Sequence, residues 1–401
     1  MDQIMRLRLL IVPLLSGVLS VPSANAQNVI VVVLDGARYS EIFGSDSTYI
    51  PRMWNDLKPL GTIFTNFRND GTTTTNPGHS SIESGTWQDI PNDGTLRPTM
   101  PSFFEYYRKH SGADDQSCFA VVGKSKLNVL TYSTHADYGQ LYGSSLKIAA
   151  NDKGVFDSLK NVMATQKPRL LLVNFPDIDV AGHSGSWGAY LAAIRVADSL
   201  VTELWATIQG DLFYKDSTTL VVTNDHGRHD DAHGGFQHHG DSCEGCRKIM
   251  LLAVGKGIPA GLVVGDTSSQ IDIAPTVGEL MAFPTPFALG TSMLPKMAVS
   301  GAHEDQSKPA HFIPLRNYPN PFNPATTLQV DLKDQSHVIV SITNALGEEI
   351  ETLFNGVLGA GSHRLLWNAA SHPSGLYVCA VVVIGSDGTL RRSVRKLMMV
   401  R

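Results

Sequence analysis

Asn28-Val29-Ile30-Val31-Val32-Val33-Leu34 runs straight into Asp35-Gly36. A continuous apolar, β-branched run without alternation has no face to turn to water, so it reads as a strand buried on both sides. Residues 119–122, 170–173, 220–223 and 250–254 repeat the pattern. Helical stretches separate them. In the clearest, residues 188–208, Leu191, Ile194, Val201, Leu204 and Trp205 mark one apolar face. This alternation predicts an α/β domain with a mainly parallel sheet flanked by helices. Such sheets bind ligands beyond the carboxyl ends of their strands, which directs attention to the residues found there.

Four of those positions carry related chemistry. Asp35 follows the first strand directly. Thr72-Thr73-Thr74-Thr75-Asn76-Pro77-Gly78-His79 leads into a helix whose first turn suits Pro77. Thr75 is thereby expected near free helix N–H groups, which favour a phosphate. Asp177-Ile178-Asp179-Val180-Ala181-Gly182-His183 follows the 170–173 strand, and Asn224-Asp225-His226-Gly227 follows the 220–223 strand. His238-His239-Gly240 comes next. Singly, each has an ordinary reading as a turn, a helix cap or a solvated loop. Jointly, Asp and His donors with a neighbouring Thr are what two zinc-like ions at a shared site require.

The order Leu-Asp-Gly, Thr-x-Pro-x-His, Asp-x-x-x-His, Asp-His-Gly and His-Gly resembles the alkaline phosphatase superfamily. Within it, the nearest resemblance is to the nucleotide pyrophosphatase/phosphodiesterase branch. It covers about residues 28–295 and implies an alkaline-phosphatase-like fold. It also implies that Asp35, Thr75, Asp225 and His226 hold one divalent ion, and that Asp179, His183 and His239 hold the other. Asp179 is preferred to Asp177 for its four-residue spacing to the histidine, and His239 to His238 for the glycine after it. Three histidines lean toward Zn2+. Thr75 would be the nucleophile, passing through a phospho-threonine. Asn92 resembles the phosphate-binding asparagine of the phosphodiesterase branch. Lys124 and Lys126 resemble the basic pair of some monoesterases, although a turn residue and two surface lysines are the plain alternatives. No arginine stands out as a phosphate ligand. The Cys-x-Pro-x-Arg motif of sulfatases is absent, so sulfatase chemistry is disfavoured.

The expected activity is therefore hydrolysis of small phosphate esters, by a phosphodiesterase or nucleotide pyrophosphatase-like enzyme. An alkaline phosphomonoesterase on the same site is the first alternative. A phosphomutase or phosphonate hydrolase is another, and a non-catalytic, metal-stabilised surface binding protein stands outside the enzymes. With 42% hydrophobic and 17% charged residues and a net charge of -5, the composition is globular and shows no basic surface for nucleic acid.

The ends of the chain carry addresses. Arg6 and Arg8 precede an apolar run at residues 9–19, and Ala24-Asn25-Ala26 suits cleavage, so residues 1–26 read as a secretory signal peptide. A catalytic domain at 27–297 and a polar linker at 298–316 follow. Residues 317–401 hold short alternating runs at 327–332, 337–343, 363–367 and 376–383, as in a small all-β Ig-like sandwich. The opening Asn317-Tyr318-Pro319-Asn320-Pro321-Phe322-Asn323-Pro324 and the basic end at Arg395-Lys396-Leu397 resemble a type IX secretion sorting domain. That implies the secretion machinery as a partner and an exported, secreted or cell-surface protein. Of four cysteines, Cys118 and Cys379 sit in apolar runs. Cys243 and Cys246 are expected to close a tight disulfide in an exported chain, with half of a zinc site as the competing reading.

Overall fold

A computed structural model describes residues 26–297, 315–332, 334–344, 348–385 and 390–400. Of the expected signal peptide at 1–26 and linker at 298–316, residues 1–25 and 298–314 fall outside the described residues. The chain divides into two compact units, Met1–Gly301 and Ala302–Arg401.

The first unit is built on a nine-stranded sheet. Its strands are β1 (Asn28–Leu34), β2 (Gly61–Arg68), β3 (Cys118–Val122), β4 (Ser145–Ile148), β5 (Leu170–Phe175), β6 (Thr218–Thr223), β7 (Lys248–Gly255), β8 (Leu262–Val264) and β9 (Ser268–Ser269). The spatial order is β4-β3-β5-β1-β6-β7-β2-β8, with β9 also on β2. β1 lies at the centre, parallel to β5 on one side and to β6 on the other.

Every residue of β1 is buried. Its side chains alternate between two cores, as the pleat demands. Ile30, Val32 and Leu34 enter one core, and Val29, Val31 and Val33 enter the other. Helices cover both faces: α1 (Thr75–Ser84), α2 (Phe103–Ser111), α3 (Asp152–Thr165), α4 (Asp177–His183), α5 (Trp187–Gly210), α6 (Glu244–Arg247) and α7 (Ile273–Met281). From α3 and α5, Phe156, Leu159, Ile194, Val201 and Leu204 fill the first core; from α2 and α7, Phe103, Phe104, Ala274 and Val277 fill the second. α5 is the helix expected at 188–208, and it buries Ile194, Val201 and Leu204 while Leu191 and Trp205 pack at its margin. None of the described helices is long and apolar enough to cross a membrane.

The sheet is mostly parallel, with one exception. β7 runs antiparallel to both β6 and β2. The reason is its connection: residues 224–247 leave the carboxyl end of β6 and re-enter the sheet at the same end. That excursion carries Asp225, His226, Arg228 and His239 without leaving the rim of the sheet.

The second unit is all-β, as expected. Its sheets are antiparallel: β10 (Leu315–Tyr318), β11 (Ala325–Leu332) and β14 (Gly361–Asn368) form one, and β12 (Ser336–Thr343), β13 (Glu349–Leu358), β15 (Gly375–Gly385) and β16 (Leu390–Met399) form the other. Leu328 and Trp367 from the first sheet share a core with Val338, Val340, Cys379, Val381 and Leu397 from the second. The strands β10, β13 and β16 were not anticipated. β13 exposes many of its side chains, so its burial pattern lacks the clean alternation by which a half-buried strand is recognised. The expected turns at 345–347 and 386–389 lie outside the described residues.

Candidate functional site

The rim formed by the carboxyl ends of β3, β5, β1 and β6 gathers the polar residues of interest. Asp35 leaves β1 fully buried. Its Oδ1 accepts from Lys124 Nζ at 2.9 Å, and its Oδ2 accepts from Asn174 Nδ2 at 2.9 Å. Lys124 lies just past β3 and bridges further. Its Nζ is 2.6 Å from Asp179 Oδ2 and 3.3 Å from Thr75 Oγ1.

Thr75 is the first residue of α1 and is buried. The serines of α1 satisfy themselves: Ser81 and Ser84 donate to the carbonyls four residues back, at 2.8 and 2.7 Å, which lets a hydroxyl-rich helix sit inside the fold. At Gly78 a Cβ would come within 2.5 Å of the Asp225 carbonyl oxygen, so only glycine allows α1 this close to the end of β6. Asn69 Nδ2 and Gln270 Nε2 donate to the same carbonyl, each at 2.7 Å. These contacts hold Thr75 and Asp225 in one cluster.

His79, one turn after Thr75, was quoted in the motif without a role. Its Nδ1 donates to the Thr75 carbonyl at 2.9 Å, and its Nε2 accepts from Asn174 Nδ2 at 3.2 Å. With both ring nitrogens engaged it serves as a positioning residue, although it lies near Asp35 and Asp225. Asn174 is a second residue that sequence reasoning passed over. A buried amide in the otherwise apolar β5 was the available signal, and it is explained by its bonds to Asp35 and His79.

Asp225 Oδ1 accepts from the backbone N–H groups of Gly36 and His226, at 3.1 and 3.0 Å. Its Oδ2 is buried without a hydrogen-bond partner, as is His226 Nε2. The two atoms are 3.4 Å apart, and His226 Nε2 is 3.7 Å from Asp35 Oδ1. The His226 ring stacks on that of His239, with centroids 3.9 Å apart. His239 Nδ1 donates to the Thr73 carbonyl at 3.0 Å, which turns Nε2 toward Asp179 Oδ1 at 3.5 Å. His183 Nε2 is 3.3 Å from the same oxygen and 3.1 Å from His239 Nε2. His183 is 47% exposed and so marks the mouth.

The third residue missed is Arg228, which is fully buried. It pairs with Asp179 Oδ1 and donates to the carbonyls of Phe236 and of Gln237, the latter at 2.8 Å. It therefore anchors the 224–247 connection to Asp179 and is held away from the mouth. Asp177, the carboxylate set aside in favour of Asp179, bonds instead to Asp152, whose Oδ1 accepts from the Asp177 N–H at 2.9 Å.

The electrostatics describe a site short of positive charge. Burial and the neighbouring Asp225 raise the Asp35 pKa. Burial would raise Asp179 and Asp225 too. Instead, His183 and Lys124 hold Asp179 well below the usual range, and His226 and His79 do so for Asp225. Burial would lower Lys124, but Asp35 and Asp179 override it and keep the ammonium charged. Burial and His226 push His239 down to about 3, so its imidazole is neutral and able to coordinate. Three buried carboxylates against one ammonium and one guanidinium, with two unpartnered donor atoms facing each other, fit divalent cations. Asp35, Asp225 and Thr75 could hold one ion, and Asp179, His183 and His239 another. His226 lies between the two sets rather than wholly in the first, since Asp179, His226 and His239 also group together.

The expected substrate contacts meet at the same edge. Asn92 Oδ1 accepts from the Asn76 N–H at the start of α1 and from Lys126 Nζ, both at 2.9 Å. Asn76 Nδ2 in turn donates to the Lys126 carbonyl at 3.1 Å. Asn92, Lys124 and Lys126 thus converge on the N-terminus of α1 rather than scattering over the surface.

Residues 128–284 match a family model described as Metalloenzyme superfamily. A 2,3-bisphosphoglycerate-independent phosphoglycerate mutase of Haloquadratum walsbyi is 29% identical over 153 residues, which is 38% of this chain and 29% of that protein. The chain spans about a quarter of the length of the curated relatives it matches, 24% to 29% for the first three. Among solved structures, the phosphonate monoester hydrolase of Agrobacterium radiobacter superposes with a TM-score of 0.51 at 14% identity, covering 86% of this chain and 90% of that one. An alkaline phosphatase superfamily protein of Vibrio parahaemolyticus gives 0.50 at 12% identity, covering 92% and 82%. The superpositions show an alkaline-phosphatase-like fold, and residues 128–284 within it are similar to the Metalloenzyme superfamily.

Proposed function

We propose that this chain is a metal-dependent hydrolase of phosphate esters that acts through Thr75 and prefers monoesters. The observation that carries the preference is Lys124, whose Nζ sits 3.3 Å from Thr75 Oγ1, with Lys126 and Asn92 beside it on the N-terminus of α1. A monoester dianion presents more negative charge and one more non-bridging oxygen than a diester. Two lysines and an amide suit it better. The motif order resembles the phosphodiesterase branch, but a single anionic charge does not call for that much cationic equipment.

Asp35, Asp225, His226 and Thr75 would hold one divalent ion, and Asp179, His183 and His239 a second; His226 lies within reach of both. When bound, such ions lower the pKa of the Thr75 hydroxyl and neutralise charge that develops on phosphorus-bound oxygens. The chain's own residues do the rest. The N-terminus of α1, with the Asn76 N–H, draws the ester phosphate to Thr75. Thr75 Oγ1 attacks phosphorus in line, the P–O bond to the leaving alcohol breaks, and a phospho-threonine forms. Lys124 Nζ donates to a non-bridging oxygen as negative charge builds there. Asn92, oriented through its Oδ1, has its amide N–H groups for another oxygen. Water then attacks the phospho-threonine, releases phosphate and restores Thr75. His79 holds the first turn of α1 in register throughout.

A second part of the proposal is export, supported by the signal-peptide reading and by the sorting-domain resemblance of 317–401. The test of function compares p-nitrophenyl phosphate, bis-p-nitrophenyl phosphate and thymidine monophosphate p-nitrophenyl ester, using purified protein with zinc restored. Faster turnover of the monoester is expected. Faster turnover of the diesters returns the chain to the phosphodiesterase reading, and inertness toward all three sinks the hydrolase.

A further inference from the structure

Beyond the Thr75 site, the 224–247 connection carries a second cluster of metal-ligating side chains that the proposed reaction does not use. Cys243 caps the short helix α6, and Cys246 lies within it. Both are buried free thiols, which corrects the disulfide expectation. The Asp241 carboxylate accepts from the Cys243 backbone N–H at 2.9 Å, and burial together with the neighbouring Cys243 thiol pushes the Cys246 thiol up. His229 Nε2 is 3.3 Å from Asp241 Oδ2, and it is buried without a hydrogen-bond partner. Donor atoms of His229, Asp241 and Cys246 all lie within 4.8 Å of one another.

We propose that Cys243, Cys246, His229 and Asp241 form a closed structural site for a zinc-like ion, separate from the ions at Thr75. Tetrahedral zinc with sulfur at ~2.3 Å and nitrogen or oxygen at ~2.0 Å sets its donors roughly 3.3–3.8 Å apart, so His229, Asp241 and Cys246 would draw together by up to about 1 Å and Cys243 would turn in to complete the set. A disulfide fits these surroundings less well. It would leave the buried His229 nitrogen unsatisfied, a penalised state. An ion satisfies the carboxylate and the imidazole together. Half-buried Asp230 and exposed His233, paired with each other at 2.7 Å, also lie within 4.8 Å of Cys243, but His233 is already satisfied by Asp230.

The site has a structural purpose. The Cys-x-x-Cys turn lies against the start of the connection: Gly227 N donates to the Cys246 carbonyl at 2.8 Å, and a Cβ at Gly227 would come within 2.0 Å of the Gly245 carbonyl oxygen. His229 N donates to the His238 carbonyl at 2.9 Å. An ion here staples residue 229 to residues 241–246, which closes the loop that presents His239. Thiolate donors select zinc over magnesium or calcium.

The test uses the full chain, purified, stripped of metal and reloaded with cobalt(II). A sulfur-to-cobalt charge-transfer band in the near ultraviolet is expected. It should vanish in Cys243→Ser and in Cys246→Ser, weaken in His229→Gln, and persist in Asp35→Asn, whose altered site holds no sulfur. Should the cysteine variants fail to fold, thiol titration of the native wild-type chain decides: chelation should expose two more reactive thiols than the zinc-loaded form. A wild-type spectrum without the band overturns the proposal, as does an intact mass showing a Cys243–Cys246 disulfide. Neither result depends on whether Thr75 turns over phosphate esters.

Discussion

Replacing Lys124 by alanine separates an ester-binding lysine from a structural ion pair. Lys124 is 15% exposed, and it is the ammonium shared by Asp35 and Asp179. Removing one partner of a buried ion pair typically costs about 3–5 kcal/mol, because the remaining charge is stranded. That cost should appear in the metal-free protein. With divalent ions bound, the two carboxylates are neutralised another way, so the loss of stability should shrink to about 1 kcal/mol, a typical net hydrogen-bond contribution. Catalysis should respond differently. A preorganised donor aimed at developing charge contributes about 2.7–4 kcal/mol, or roughly 10²–10³-fold in rate. K124A is therefore expected to lower kcat/KM for p-nitrophenyl phosphate by about 10²-fold or more, and that for bis-p-nitrophenyl phosphate by about tenfold. Thermal melts with and without chelator, paired with kinetics on both esters, make the measurement. Equal losses on the two substrates would refute the assignment and leave Lys124 as a counter-ion.

Three further predictions follow from the geometry. Thr75→Ala should abolish turnover, by at least about 10³-fold, while metal content by mass spectrometry stays near wild type; metal binding with no loss of turnover would remove Thr75 as nucleophile. Arg228→Met keeps the volume but frees Asp179 and the carbonyls of Phe236 and Gln237; zinc affinity should fall by roughly 10–100-fold, as is typical when a partner of a ligand is lost, and unchanged affinity in a chelator competition would contradict the anchoring role. Burial raises the Asp152 carboxyl to about 7. Its folded pKa thus exceeds the ordinary 3.8, so the folded state holds the extra proton and stability should decline as pH rises from about 4 to about 7. Asp152→Asn removes that slope and should be more stable than wild type above pH 7 by up to about 4 kcal/mol, from some three pKa units at about 1.4 kcal/mol each, read from denaturant melts across pH; parallel profiles for the two proteins would show that Asp152 does not titrate there.

Much of the fold was legible in the chain. Runs such as 28–34 and 170–173 are apolar without alternation because helices cover the sheet on both faces, and that is a local signature. The antiparallel entry of β7 was not legible, since strand direction depends on where the connection at 224–247 travels. In the second unit, β12 shows the alternation of a half-buried strand, whereas β13 faces water with many of its side chains and gave no pattern to read.

For the site, the amino-acid sequence by itself determined the chemical types and their order: Asp35, Thr75, Asp179, His183, Asp225, His226 and His239, each beyond a strand or at a helix start. Strand ends are recognisable locally, and parallel strands bring their carboxyl ends to one rim. Only the tertiary structure decided what stands between those residues. It set Lys124 among Asp35, Asp179 and Thr75, brought Asn92 and Lys126 to the start of α1, and buried Arg228 against Asp179. It gave Asn174 and His79 their supporting bonds. It also left Cys243 and Cys246 as buried thiols, with Cys246 close to His229 and Asp241. None of these pairings has a sequence spacing, because each joins segments through space, and a buried charge is recognisable only once its partner is in contact.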